Sequence, residues 1–98
     1  MHHSHPYSQK KAEELWQAVL RLKTKEECRR FFRDLCTIQE MTAMADRWQA
    51  VKKINDNEPY RDIAKQVGMS STTVARVAYW LNHGQGGYRL MLKKLKLL

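Results

Sequence analysis

The chain has few of the residues that break helices. Its 98 residues include four glycines and two prolines. Three of the glycines fall together in one connector, Asn82-His83-Gly84-Gln85-Gly86-Gly87. That connector lacks the lysine and the Ser/Thr that a phosphate-cradling loop requires, and no strand pattern precedes it, so it reads as the end of a helix. No run approaches the ~20 apolar residues of a membrane span, and the N-terminus has no apolar signal core, which points to a cytoplasmic protein with no membrane partner. Cysteine is scarce too. Cys28 and Cys36 lie eight residues apart in one predicted helix, about 12 Å along the axis at ~1.5 Å per residue. That is too far for an intrachain disulfide, and both are expected as small buried hydrophobes in a reducing compartment.

Acid is the most informative scarcity. Residues 1–59 carry eleven Lys/Arg against nine Asp/Glu, whereas residues 60–98 carry seven Lys/Arg and a single acid, Asp62. The formal charge of +8 is therefore concentrated in the second half. A one-signed surface favours a polyanion, and phosphate contacts supply most non-specific nucleic-acid affinity. The catalytic combinations are missing as well: His83 is the His nearest the folded region, and no Ser, Cys or Asp is arranged to work with it, which argues against an enzyme. No metal site is expected. The opening Met1-His2-His3-Ser4-His5 has the composition of a metal-binding tract, but residues 1–8 read more simply as a disordered tail before one domain over 9–98.

What is present is helical period. Apolar residues recur at steps of three and four almost throughout. A first helix is expected over 9–23, with Ala12, Leu15, Trp16, Val19 and Leu22 on one face. Thr24 and Glu27 form a capping box in which the hydroxyl takes the amide of Glu27 and the carboxylate returns to the amide of Thr24. A second helix then carries Cys28, Phe31, Phe32 and Leu35 on one face and Arg29, Arg30 and Arg33 on the other. Thr37 and Glu40 repeat the box ahead of a third helix from Ile38 to Asn55, with a buried stripe of Met41, Met44, Ala45, Trp48 and Val51. Pro59 marks the clearest break. Short helices follow from Tyr60 to Val67, from the Ser70-Ser71 caps to about Leu81, and over 88–97, the last placing Tyr88, Met91, Leu92 and Leu95 together. The fold class is all-α.

The stretch 60–79 meets the demands of a helix-turn-helix: two short helices joined by a glycine turn and locked by apolar residues. Ile63, Ala64 and Val67 serve the first helix, Gly68 and Met69 the turn, and Val74 and Val77 the second. Ser70, Ser71, Thr72 and Thr73 open the second helix with short hydroxyls that fit a groove about 12 Å wide, and Ala75 and Arg76 follow one turn on. Arg61 and Lys65, four apart, are spaced to hold the flanking phosphates. These eight positions are the expected contacts to double-stranded DNA. The alternative is a helical dimer that docks on a transcription or nucleoid protein without reading DNA.

Several separated motifs then occur in a familiar order: Phe32, Asp34-Leu35-Cys36-Thr37-Ile38, Glu40, Arg47-Trp48, Tyr60-Arg61-Asp62-Ile63-Ala64, Ser71-Thr72-Thr73-Val74-Ala75-Arg76-Val77 and Leu81-Asn82-His83-Gly84-Gln85-Gly86-Gly87-Tyr88. Together they resemble the Trp-repressor superfamily, and within it the YerC/YecD group, over residues 13–95. The resemblance implies a six-helix fold, an intertwined homodimer whose N-terminal helices wrap the partner, and a bacterial transcriptional regulator, most simply a repressor, at the nucleoid. A two-fold dimer sets its recognition helices about 34 Å apart and reads a palindromic operator. The resemblance also marks an effector pocket: Arg47 and Arg76 match the arginines that hold a co-repressor carboxylate. Val77, however, replaces a glycine that lies against the ligand's indole. Overpacking a tight site costs about 1–3 kcal/mol, so L-tryptophan is not expected as a cofactor.

Overall fold

The computed structural model describes residues 8–98, and the histidines of the opening tract lie outside them. The described residues form six helices and no strand: α1 (Gln9–Val19), α2 (Lys25–Leu35), α3 (Ile38–Asn55), α4 (Tyr60–Val67), α5 (Ser71–His83) and α6 (Gly87–Lys94). They fall into two units divided after Thr37.

In the first unit, Ser8 caps α1 by accepting a hydrogen bond from the Lys11 amide at 3.3 Å. The helix stops at Val19, four residues short of the expected end. Leu20 still donates to Trp16 O, but Arg21 and Leu22 turn to Ala18 O and Val19 O three residues back, a tightening typical of a closing helix. The cause lies in the next cap. Thr24 Oγ1 accepts the Glu27 amide at 3.0 Å as expected, but the Glu27 carboxylate takes the amide of Lys23 at 2.8 Å instead of that of Thr24. Lys23 is thereby held to the start of α2. Neither helix of this unit has a buried residue. Trp16 is 48% exposed, Leu20 81% and Leu35 48%. The expectation of two buried cysteines fails for the same reason: Cys28 is exposed and Cys36 half-buried, both as free thiols.

The second unit has a core. Ala50 and Val51 from α3, Ile63 from α4, Val74, Val77 and Leu81 from α5 and Leu92 from α6 cluster with little or no exposure, and Trp48, Ile54, Ala64, Val67, Met69 and Tyr88 pack around them. The stripe expected along α3 is only partly buried, and Met41 near its start is half-buried. Val51 is fully buried and Trp48 partly, whereas Met44 and Ala45 are exposed and Ala50 takes the core position instead. Similarly, Leu92 is the one member of the α6 face that is buried, and Met91 and Leu95 remain exposed. The helix α6 runs shorter than 88–97 because Lys96 adopts φ of 60°, which lets the Leu97 amide bond back to Leu92 O at 2.8 Å. Asn55 Nδ2 then donates to Leu97 O at 2.8 Å, fastening this end of the chain to the end of α3.

Candidate nucleic-acid interface

Local chemistry fixes the α4–α5 pair before packing does. Pro59 at φ −63° and ψ 141° opens α4, its ring preset for the residue that enters a helix. Gly68 at φ +85° ends it, and the amides of Gly68 and Met69 both return to Ala64 O, at 2.9 and 3.1 Å. That pattern of bonds across a left-handed residue satisfies the last carbonyls of a helix and turns the chain sharply. Two residues later Ser70 caps α5. Its Oγ accepts the Thr73 amide at 3.0 Å and lies 2.9 Å from Thr73 Oγ1. The far end of α5 extends to His83, two residues beyond the expected stop. Gly84 closes it with an amide bond to Trp80 O at 2.8 Å, and a Cβ at Gly84 would sit only 2.5 Å from that same oxygen.

Packing then sets the angle between the two helices. Ile63 and Val74 are fully buried and Val77 is 4% exposed, so the inner faces of α4 and α5 share the core of the second unit. Replacing a side chain such as Ile63 by alanine would cost about 2–5 kcal/mol through the cavity left behind.

The outer face is left to the residues singled out from sequence. Arg61 and Lys65 on α4 and Ser71, Thr72, Ala75 and Arg76 on α5 are all exposed. Arg61, Lys65 and Arg76 take part in neither of the two ion pairs formed among the described residues, Arg29–Glu26 and Lys53–Glu58. Their charged groups are thus exposed and held in no ion pair, with Asp62 the single acid on α4. Ser70 and Thr73 stand differently. Ser70 is exposed and Thr73 half-buried, but their hydroxyls are engaged with each other and with the first turn of α5.

Period extends this face beyond the positions expected from sequence. Thr72, Arg76, Tyr79 and His83 stand at i, i+4, i+7 and i+11 on α5 and so share one side of the helix. All four are exposed. The Tyr79 ring meets Trp80 edge-on with centroids 5.2 Å apart and lies 4.8 Å from the His83 ring. The same counting that placed Thr72 and Arg76 would have reached Tyr79 and His83.

Arg47 and Arg76 are both exposed, and neither lines the two clefts beside the end of α3. Val77 is packed into the core against neighbours from α3, α4 and α6. Among the described residues no group of three His, Cys, Asp or Glu is placed to hold a metal ion. No described helix is long and apolar enough to cross a membrane.

Six helices, a glycine-hinged pair and an exposed basic, hydroxyl-bearing face define a helix-turn-helix protein. Residues 10–96 match the family model of the Trp repressor protein. The chain is 37% identical over 87 residues to the uncharacterized protein YerC of Bacillus subtilis, covering 89% of this chain and 84% of that one. A TrpR-like protein from Eubacterium eligens superposes with a TM-score of 0.87 at 37% identity, covering 92% of this chain and 93% of the other. A Staphylococcus aureus structure described as a candidate Trp repressor gives 0.86 at 33% identity, covering 93% and 91%. The chain belongs to the Trp repressor family, a family of regulatory DNA-binding proteins and not of enzymes.

Proposed function

We propose that this protein is a transcriptional regulator, acting as a repressor, which binds a palindromic site in double-stranded DNA as a homodimer through α4 and α5. The observation that carries the reading is the outer face of that pair. Ser71, Thr72 and Ala75 leave a low surface at the start of α5, and Arg61, Lys65 and Arg76 stand exposed around it. Small residues admit the helix to the major groove, and the cations hold its register through phosphates. Ser70 and Thr73 belong to the same site as the cap that orients the first turn of α5. Tyr79 is positioned by helical period to extend the contact.

Support for the dimer comes from the first unit. Two amphipathic helices without a buried residue leave Trp16, Leu20 and Leu35 exposed, large apolar side chains of the kind an interface covers. A second copy that supplies complementary helices covers it, and the two-fold relation makes the operator an inverted repeat. L-Tryptophan is not the effector in this reading. Val77, buried in the core, leaves no shelf for an indole beside Arg76.

Selection of bound duplexes from a random pool tests the function directly. An inverted repeat with half-sites about one DNA turn apart supports it. Recovery of no enriched sequence would refute specific readout.

A further inference from the structure

The exposed residues in the first two turns of α5 are Ser71, Thr72, Ala75 and Arg76. Thr73, between them, is half-buried and its hydroxyl lies 2.9 Å from that of Ser70. The four differ in what they can read. A serine or threonine hydroxyl both donates and accepts, so it serves more than one base, and alanine offers only a methyl contact to thymine. Arginine alone presents two parallel donors that match the O6 and N7 acceptors of guanine. The whole of α5 contains no acid, and Arg76 joins neither the Arg29–Glu26 nor the Lys53–Glu58 pair. Its donors are therefore uncommitted.

Reach decides between base and backbone. Helical side chains lean toward the N-terminus, so Arg76 extends over the turn that holds Thr72, four residues back. From Ser71 the helix rises ~7.5 Å to Arg76 and ~18 Å to His83, at ~1.5 Å per residue. A recognition helix enters the major groove by its N-terminal end, and a groove about 8.5 Å deep takes in the first of these spans and not the second. Arg76 thus stands within the groove, whereas Tyr79 and His83 stand toward its rim. Arg61 and Lys65 belong to α4, the helix that crosses the backbone in such a pair. We propose that Arg76, beyond helping to set the register, reads a guanine in each half-site, and that this guanine is the most strongly specified letter of the operator. Two of its five N–H donors suffice for the base, which leaves others for the backbone. The assignment rests on the DNA binding proposed above and adds to it the identity of one base and the side chain that selects it.

Parallel selections from a fully randomised duplex pool, with the native full chain, Arg76→Ala and Arg76→Gln, test it. The native chain is expected to enrich an inverted repeat with guanine at one fixed place in each half-site. Arg76→Ala should accept any base at that place and keep the remaining letters. Arg76→Gln should replace guanine there by adenine, whose N6 and N7 fit a carboxamide. In the enriched duplex, 7-deazaguanine at that place keeps the base pair and removes the N7 acceptor. It should weaken the native chain about ten-fold and leave Arg76→Ala unaffected. Two variants at an exposed position guard against the failure of one to fold. Guanine retained by either variant, a native chain indifferent to 7-deazaguanine, or an Arg76→Ala loss shared equally by all duplexes would overturn the assignment. If the native chain enriches no sequence, the proposed function falls and this assignment with it. An enriched inverted repeat whose letters ignore position 76 sinks the assignment alone.

Discussion

Ser70 Oγ lies 2.9 Å from Thr73 Oγ1 and accepts the Thr73 amide at 3.0 Å, so two of the four consecutive hydroxyls at the start of α5 serve the helix itself. Ser71 and Thr72 between them form no such bond and are exposed. The four residues therefore separate by experiment. Ser70→Ala removes the acceptor of a helix amide and should cost about 1 kcal/mol of stability in urea denaturation. Thr72→Ala should stay within ~0.5 kcal/mol of the native protein while changing sequence preference, with about 1–3 kcal/mol lost at the base it contacts. Equal effects of the two substitutions on both readouts would dissolve the distinction.

Gly68 isolates the backbone contribution to the hinge. A Cβ there meets nothing within 4 Å, so the cost of Gly68→Ala is purely that of holding φ +85°, about 1–2 kcal/mol. Asparagine, which tolerates the left-handed region, should cost less. Thermal unfolding of the two variants checks the order, and a Gly68→Asn chain less stable than Gly68→Ala would contradict it.

These contrasts show where the sequence is legible and where it is not. The limits of α2, α3 and α4 follow from Thr24, from the two residues Cys36 and Thr37, and from Pro59 and Gly68, all of which act within one or two turns of themselves. The ends of α1 and α6 do not. Lys23 is drawn to the Glu27 carboxylate of the next helix, and Lys96 enters a left-handed conformation that side-chain type does not announce. Burial was legible where four helices converge, around Ile63, Val74 and Val77. It is not legible at Cys28, Met44 and Ala45, which are exposed, because an apolar period states that a face wants cover without stating whether its own chain provides it. The outer face of α5 is legible at Thr72 and Arg76, and the same helical period reaches Tyr79, which carries none of the hydroxyl pattern of the first turn.

The uncovered first unit predicts an oligomer. Leu35 is 48% exposed on α2, near the edge-to-face pair of Phe31 and Phe32, whose centroids are 5.6 Å apart. A carboxylate at position 35 would be desolvated in any interface formed there. Leu35→Asp should therefore weaken the dimer by at least ~2 kcal/mol, or about 30-fold in dissociation constant, measured by sedimentation equilibrium. Affinity for an inverted repeat should fall with it. A Leu35→Asp dimer of native affinity would remove α2 from the interface.

Val77 makes a prediction about the effector. With that side chain 4% exposed in the core, isothermal titration of the native protein with L-tryptophan should show no micromolar binding, because a ring beside Arg76 would overpack the site by about 1–3 kcal/mol. Micromolar affinity with the indole located against Val77 would overturn the steric argument. It would also restore Arg47 and Arg76 as a carboxylate-binding pair.

Lys65 supplies the test that separates DNA binding from protein docking. It is exposed one turn after Arg61 on α4, where an ammonium engages a phosphate without reference to the base sequence. Affinity of the native protein for duplex DNA should fall linearly with salt on logarithmic axes, because each neutralised phosphate releases its condensed counterions. Lys65→Ala should lower affinity for every duplex by a similar factor and reduce the magnitude of that slope by about one per binding site lost. Thr72→Ala should leave the slope unchanged, since a hydroxyl displaces no counterion. If binding of the native chain to its partner proved insensitive to salt, or if Lys65→Ala changed sequence preference instead of the slope, α4 would not be acting as a phosphate clamp. The basic surface of the second unit would then belong to a different kind of contact.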